Sequence, residues 1–249
     1  MSPTHPAHRT RVIAALLVGV LVFAACGKSS SPSAKATTTT AAVTTTEATT
    51  TTEAPTTTTT EATTTTLSSD LAALKAKAQG ALLKASDLGT TFADDTYSST
   101  STDSPCGTPD PDKTLPPAII VGSVATNANP KAALQEEIRI YQDEAEGTKA
   151  FVNFQKALDC TSGSIDNGDG TKTPATIGTA SDIKSINTNI SEGYAKSIKT
   201  SDFEGEAVVA RLGAAILTLQ FVNAPGADTS TLPDPQKVVN DAVTKAAAA

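Results

Sequence analysis

Histidine, tryptophan and cysteine are almost missing from this chain of 249 residues, which has two His, no Trp and three Cys. Both histidines, His5 and His8, stand within the first eight residues, upstream of anything long enough to fold. A Ser-His-Asp triad, a Cys-His pair, a His-ligated zinc site and a histidine pH switch are therefore excluded from the body of the chain. Aromatic residues make up only 4% of the sequence, too few for platforms that stack sugars or bases. Basic residues are the minority charge, 19 against 26 acidic ones, and no run of like charge exceeds two. That balance offers neither nucleic acid nor anionic headgroups a counter-charge. The phosphate-loop pattern GxxxxGK is absent, as is any Cys-x-x-Cys spacing, so the sequence shows no Gly-rich phosphate cradle and a redox-active reading of its cysteines is weak.

What is present begins at the N-terminus. Arg9 and Arg11 form a basic head, and Val12–Ala25 are fourteen uncharged, mostly apolar residues that stop abruptly at "CGKSS". A membrane-spanning helix needs about 20 such residues, so residues 1–25 read as a secretory signal that is removed. Phe23-Ala24-Ala25-Cys26 resembles the bacterial lipobox, in which the cysteine is acylated, with palmitate among the fatty acids, and becomes the mature N-terminus. An unpaired exposed thiol is otherwise a liability outside the cell. Cys26 is therefore expected to be a lipid anchor, holding the protein on the outer face of the cell membrane by more than one acyl chain. Loss of the signal removes both histidines, Arg9 and Arg11, leaving 17 basic and 26 acidic residues and a net charge of −9.

Residues 26–66 are dominated by "TTTEATTTTEAPTTTTTEATTTTL" (44–67). The tract has no apolar face whose burial could offset ordering entropy, so it is expected to be a disordered tether, with O-glycosylation as one further reading. About 40 such residues span about 35 Å as a coil and at most about 130 Å when stretched. From Leu67 the composition changes, and residues 67–249 form one domain-sized unit with 15 basic and 23 acidic residues. A segment of this size buries enough surface to fold without a metal or cofactor.

Within that unit the periodicities alternate between helix and strand. Ser69 is placed to cap a helix carrying Leu71, Leu74, Ala78 and Leu82, stopping at "LLKASDLG". "ALQEEIRIYQD" alternates, predicting a half-buried strand with Leu134, Ile138 and Ile140 inside and Gln135, Glu137 and Arg139 in water. "TKAFVNFQKALDC" returns to helical spacing through Phe151, Phe154 and Leu158, with Thr148 as its cap. Three strands follow, "GYAKSIKT", "GEAVVARL" and "AAILTLQFVN", the last two joined tightly at Gly213. "DPQKVVNDAVTKAAAA" closes the chain as a helix with Asp234 as cap and Pro235 in the first turn. The expected class is α+β: a twisted antiparallel sheet with helices packed on one face.

Cys106 and Cys160 remain as a pair in an oxidising compartment and are expected to form a disulfide. "DNGDGT" (166–171) fits a turn better than a calcium loop. Aligned as an EF-hand, it places Ile165 at the first ligand position and Thr176 at the twelfth. The paired carboxylates Asp94-Asp95 and Glu136-Glu137 are expected to be solvated surface charge, and strand geometry sends Glu136 and Glu137 to opposite faces. No metal or catalytic residue is assigned.

"LLKASDLG", the cysteine loop, the alternating strand, "AFVNFQKALDC" and the final "ARLGAAILTLQFVN" hairpin with its terminal helix resemble a family of actinobacterial secreted sensor-type domains. They are similar to the extracellular domain of mycobacterial protein kinase H and its lipoprotein relatives. That family commonly carries a Trp near the helix-terminal cysteine and a second disulfide; this chain has neither. The resemblance implies an antiparallel sheet with helices against it, a ligand cleft and no catalysis, and only Cys160 matches it residue for residue. The reading is thus a lipid-anchored, non-enzymatic module that binds a small-molecule or envelope ligand. A carboxylate-dependent hydrolase and a lipid carrier with a large apolar cavity are the other classes the residues allow.

Overall fold

The structure is a computed structural model and describes residues 63–98, 104–166 and 171–249. The signal 1–25, the lipidation position Cys26 and the tether as far as residue 62 lie outside the described residues. The chain runs α1 (Thr63–Ala81), α2 (Ala85–Leu88), β1 (Phe92–Asp95), α3 (Pro111–Thr114), β2 (Ile119–Ala128), β3 (Lys131–Ile140), α4 (Glu144–Ala157), β4 (Ser162–Asp166), β5 (Lys172–Ile177), β6 (Ser181–Asp182), β7 (Glu192–Lys199), β8 (Glu204–Leu212), β9 (Ala215–Asn223) and α5 (Pro235–Ala247). All the strands belong to one antiparallel sheet in the order β1-β2-β3-β9-β8-β7-β5-β4, with β6 pairing β7 beside β5.

The hairpins that build the sheet centre follow from their turns. Residues 129–130 join β2 to β3, with Ala128 opposite Lys131. Gly213 and Ala214 join β8 to β9, with Leu212 opposite Ala215. Gly213 has φ +61°, the left-handed conformation that two-residue hairpins with Gly first require and that an L side chain strains. The three predicted strands and the terminal helix capped by Asp234, whose carboxylate accepts the Gln236 N–H at 3.0 Å, are where the sequence puts them.

The helices cover both faces of the sheet, not one as expected. On one face α1 and α5 bury Ala78, Val239 and Val243 against Ile138, Val208, Leu217 and Leu219. On the other, α4 buries Ala150 and Phe151 against Tyr194, Val209 and Ile216. The reason is that the central strands are apolar on both sides: Ile216 and Leu217, adjacent in β9, are each fully buried on opposite faces. Each such large side chain contributes roughly 1.5–3 kcal/mol by burial.

Three local expectations are corrected. Ser69 is not a cap, because α1 begins at Thr63 and passes through it. Thr148 does not cap α4; Asp143 does, accepting the Glu146 N–H at 2.8 Å, while the Thr148 hydroxyl donates back to the Glu144 carbonyl within the first turn. Strand β3 is not half-buried: Ala132 through Arg139 are all buried. The neighbour that accounts for it is β2, whose "IIVGSV" run is rich in β-branched residues and which pairs along the whole of β3. With β9 on the other side, β3 becomes central and helices close over both its faces.

Candidate functional site

On the α4 face the sheet presents rows of side chains set by its register. Glu137 lies beside Thr218 and Val209, and Gln135 beside Gln220 and Ala207. Over these rows stand the C-terminal end of α4, the short α3 and the loop before it, leaving a cavity of about 210 Å3 between roof and floor. The roof is held from two sides. Cys106, in the loop, and Cys160, just past α4, form the expected disulfide, with Cα atoms 5.7 Å apart. The Pro105 carbonyl also accepts the Ser164 N–H of edge strand β4 at 3.0 Å. Lys196, on β7, donates to the Leu158 carbonyl at 2.6 Å and so finishes the open end of α4.

The head of the cavity is a buried charge network centred on Arg139. Its Nε lies 2.9 Å from both carboxylate oxygens of Asp112, its Nη2 2.6 Å from Glu137 and its Nη1 3.1 Å from the Thr218 hydroxyl. The guanidinium also sits 5.0 Å from the centre of the Phe154 ring of α4, a cation–π arrangement. Burial works against the Arg139 charge, yet Glu137 and Asp112 hold its pKa above the ordinary arginine value. Burial also pushes the Asp112 carboxyl up, with Arg139 opposing. Asp112 is aimed by local structure: Asp110 caps α3 by accepting the Asp112 N–H at 2.8 Å, and Pro111 occupies the first helical position.

Glu137 is the shared acceptor of the network, its Oε2 also taking the Thr218 hydroxyl at 3.4 Å. Besides Arg139 it accepts the Tyr97 hydroxyl at 2.9 Å and the Gln135 side-chain nitrogen at 3.0 Å. Tyr97 reaches it by lying across β2 where Gly122 has no side chain; a Cβ there would overlap the ring. Gly122 is the register partner of Glu137, so the glycine makes the opening through which the hydroxyl enters.

On the opposite face of β3, Glu136 is fully buried among the residues under α1. Its Oε2 accepts the Leu83 N–H at 2.6 Å and the Ser123 hydroxyl at 3.3 Å, and its Oε1 has no partner. Burial pushes its pKa up to about 7, against the pull of those two hydrogen bonds. The expectation that Glu136 and Glu137 are surface charge is thus overturned, although they do face apart. Asp94 and Asp95 are exposed on edge strand β1, as expected, with Asp94 accepting the Ala85 N–H at 2.7 Å. Of "DNGDGT", Asp166 ends β4 and residues 167–170 lie outside the described residues. Among the described residues no group of three or more His, Cys, Asp or Glu is placed to hold a metal.

A second cavity of about 300 Å3 lies at the far end of the sheet, lined mainly by apolar groups such as Phe92, Leu134, Phe221 and Leu232. The Arg139 cavity is the better candidate site, because ligand sites pair an apolar lining with a few convergent polar groups. Sequence reasoning missed Arg139, Asp112, Thr218, Phe154 and Tyr97 as members of one site. One signal was available: Glu137 and Arg139, two apart on a strand, must share a face and bear opposite charges.

No protein-family model matches the chain, and no curated protein matches it in sequence. Among solved structures it is similar to the extracellular domain of PknH from Mycobacterium tuberculosis, with a TM-score of 0.51 and 7% sequence identity, covering 70% of this chain and 94% of that one. The fold is shared. At that identity the likeness bears on architecture alone, and it agrees with the fold expected from the sequence patterns.

Proposed function

We propose that this chain is a non-enzymatic binding and sensing lipoprotein, anchored by acylated Cys26 to the outer face of the cell membrane, with the Arg139 cavity as its ligand site. The observation that carries the reading is that cavity: an apolar space roofed by a disulfide-tied loop and closed at one end by a buried polar network. Similarity of fold to the extracellular domain of a kinase supports placement outside the cytoplasm. So does the Cys106–Cys160 bridge, since such bonds persist in oxidising compartments. Among the described residues no helix is long and apolar enough to cross a membrane; in this reading attachment is through acylated Cys26.

Binding without turnover is supported by the state of the two cavity carboxylates beside Arg139. Glu137 and Asp112 are bound to a guanidinium, which holds them as acceptors and not as a base free to move a proton. Glu136, whose pKa stands near 7, lies in closed core on the other face of the strand. A lipid-carrier role is disfavoured by size, since cavities of about 210 and about 300 Å3 fall below or at the bottom of the range of roughly 300–1,000 Å3 usual even for drug-sized ligands.

Two measurements test the proposal. Metabolic labelling with palmitate should mark the protein and send it to the detergent phase, and Cys26→Ala should abolish both; a label that survives overturns the anchor. A small molecule bound at ten times its dissociation constant should stabilise the protein by about 1.4 kcal/mol, unchanged after incubation. Ala207→Leu, which pushes a larger side chain up from the cavity floor, should remove that stabilisation. Multiple turnover of the ligand would overturn the non-enzymatic reading.

A further inference from the structure

The charged groups at the head of the cavity answer one another. Arg139 is engaged by Asp112, Glu137 and Thr218. Asp110 caps α3 and has a further partner, and Lys196 is turned to the Leu158 carbonyl. The open hydrogen-bonding capacity lies one row along the sheet, on two neutral side chains. Gln135 and Gln220 are register partners on β3 and β9, and both line the cavity.

Paired glutamines on neighbouring strands are close enough to satisfy each other, and these two do not. Gln135, 8% exposed, turns its nitrogen to Glu137 at 3.0 Å, and because a carboxylate bound to a guanidinium only accepts, that contact fixes which way the amide faces. Its carbonyl oxygen is left with no hydrogen-bond partner among the described residues. Three unpartnered polar atoms of the described residues are sealed in the core, Glu136 Oε1 and the Tyr141 and Tyr194 hydroxyls; the Gln135 oxygen is not one of them. Half-buried Gln220 also has no hydrogen-bond partner among the described residues, so its amide is free to donate and to accept. Ala207, next in the row, has no polar side-chain atom to answer either. The row therefore holds an open acceptor and an open donor side by side.

We infer that the cavity takes a small neutral carboxamide, whose N–H donates to the Gln135 carbonyl and whose C=O accepts from the Gln220 nitrogen, with its apolar body against Phe154 and Leu158. This rests on the reading of the cavity as the ligand site. One planar amide carries a donor and an acceptor side by side, the complement of the open row. An amine brings no acceptor, and a ketone or carboxylate brings no donor. Each leaves one glutamine unanswered beside apolar lining, which is how a site rejects an analogue lacking one group. A cavity of about 150 Å3 holds benzene, so about 210 Å3 suits a ring of that size bearing one amide.

The test is titration of the purified mature protein with benzamide, acetophenone and sodium benzoate, read by calorimetry and thermal shift. The three share a ring and a carbonyl and differ in the group beside it. Benzamide should bind saturably and at least tenfold more tightly than the other two. Gln135→Met, which removes the acceptor, should weaken benzamide about tenfold and leave acetophenone unchanged. That change also removes a contact to Glu137, so Gln220→Met, at a half-buried position with no such contact, is the second variant. It removes the donor and should weaken benzamide and acetophenone alike. Acetophenone or benzoate binding as tightly as benzamide, and lost in Ala207→Leu, overturns the amide while the site stands. Benzamide binding that survives Ala207→Leu overturns the site itself. No saturable benzamide binding, or a benzamide affinity unchanged in either glutamine variant, overturns the inference.

Discussion

Glu136 and Glu137 are consecutive, equally acidic in sequence and both buried, yet the two faces of β3 treat them differently. Glu137 faces a polar row and receives a guanidinium, a tyrosine hydroxyl and an amide. Glu136 faces apolar core under α1 and receives one backbone N–H and one hydroxyl. The first face supplies a counter-charge; the second supplies none, and burial raises the Glu136 pKa to about 7. A buried acid thus follows the partners its face provides. The face that provides ions also carries the Arg139 cavity.

The sharpest way to break this difference is to remove the cation. Arg139→Met leaves Asp112 and Glu137 buried and unpaired, so the loss in unfolding free energy should reach the upper end of the range for broken buried pairs, about 5 kcal/mol. Denaturant unfolding measures it, and a loss under 1 kcal/mol would mean that the network is not held together by Arg139. Next is the roof. Reduction of Cys106–Cys160, which spans a sequence separation of 54, should cost about 4 kcal/mol in the chain-entropy model. It should also lower ligand affinity, because the roof loop loses its tie to α4, while leaving the α1 face protected in hydrogen exchange.

The third effect belongs to the other face and depends on pH. With the Glu136 pKa at about 7 in the folded protein and near its ordinary value when unfolded, the unfolded chain releases this proton first as pH rises. Glu136 therefore favours folding most below about pH 4.5. Its contribution is lost progressively up to about pH 7, by about 3 kcal/mol in all. Chemical denaturation at pH 5 and pH 8 should show that fall, and Glu136→Gln should flatten it; a slope unchanged in the variant would place the titrating group elsewhere. The smallest effect is Tyr97→Phe, which deletes one hydrogen bond to charged Glu137 and should cost roughly 1.5–3 kcal/mol. Gly122→Ala should act on the same contact by pushing the ring out of its place above the strand. A double change no worse than the worse single one would show that the two residues act through one contact.

Much of the fold was legible where one residue type answers one local need. Gly213 supplies the left-handed turn of the last hairpin, Asp234-Pro235 opens the final helix, and two cysteines in the domain leave a single pairing. The caps at Ser69 and Thr148 were misplaced because several nearby Ser, Thr and Asp residues compete for each helix start, and a sequence does not say which turn is first. The candidate site was barely legible. Glu137 and Arg139 share a face by strand period alone, but Asp112 is 27 residues from Arg139 and Thr218 is 79 away. No spacing rule joins residues so separated.

The sequence by itself determined the chemistry available to this protein: no histidine beyond residue 8, one pair of cysteines in the domain, an acidic balance, and the order of its later strands and terminal helix. Only the tertiary structure decided that β3 is central, that helices close over both its faces, and that two glutamates expected in water are buried. The physical reason is that alternation along a strand fixes which side chains share a face, while what covers that face depends on strands and helices brought in from distant parts of the chain.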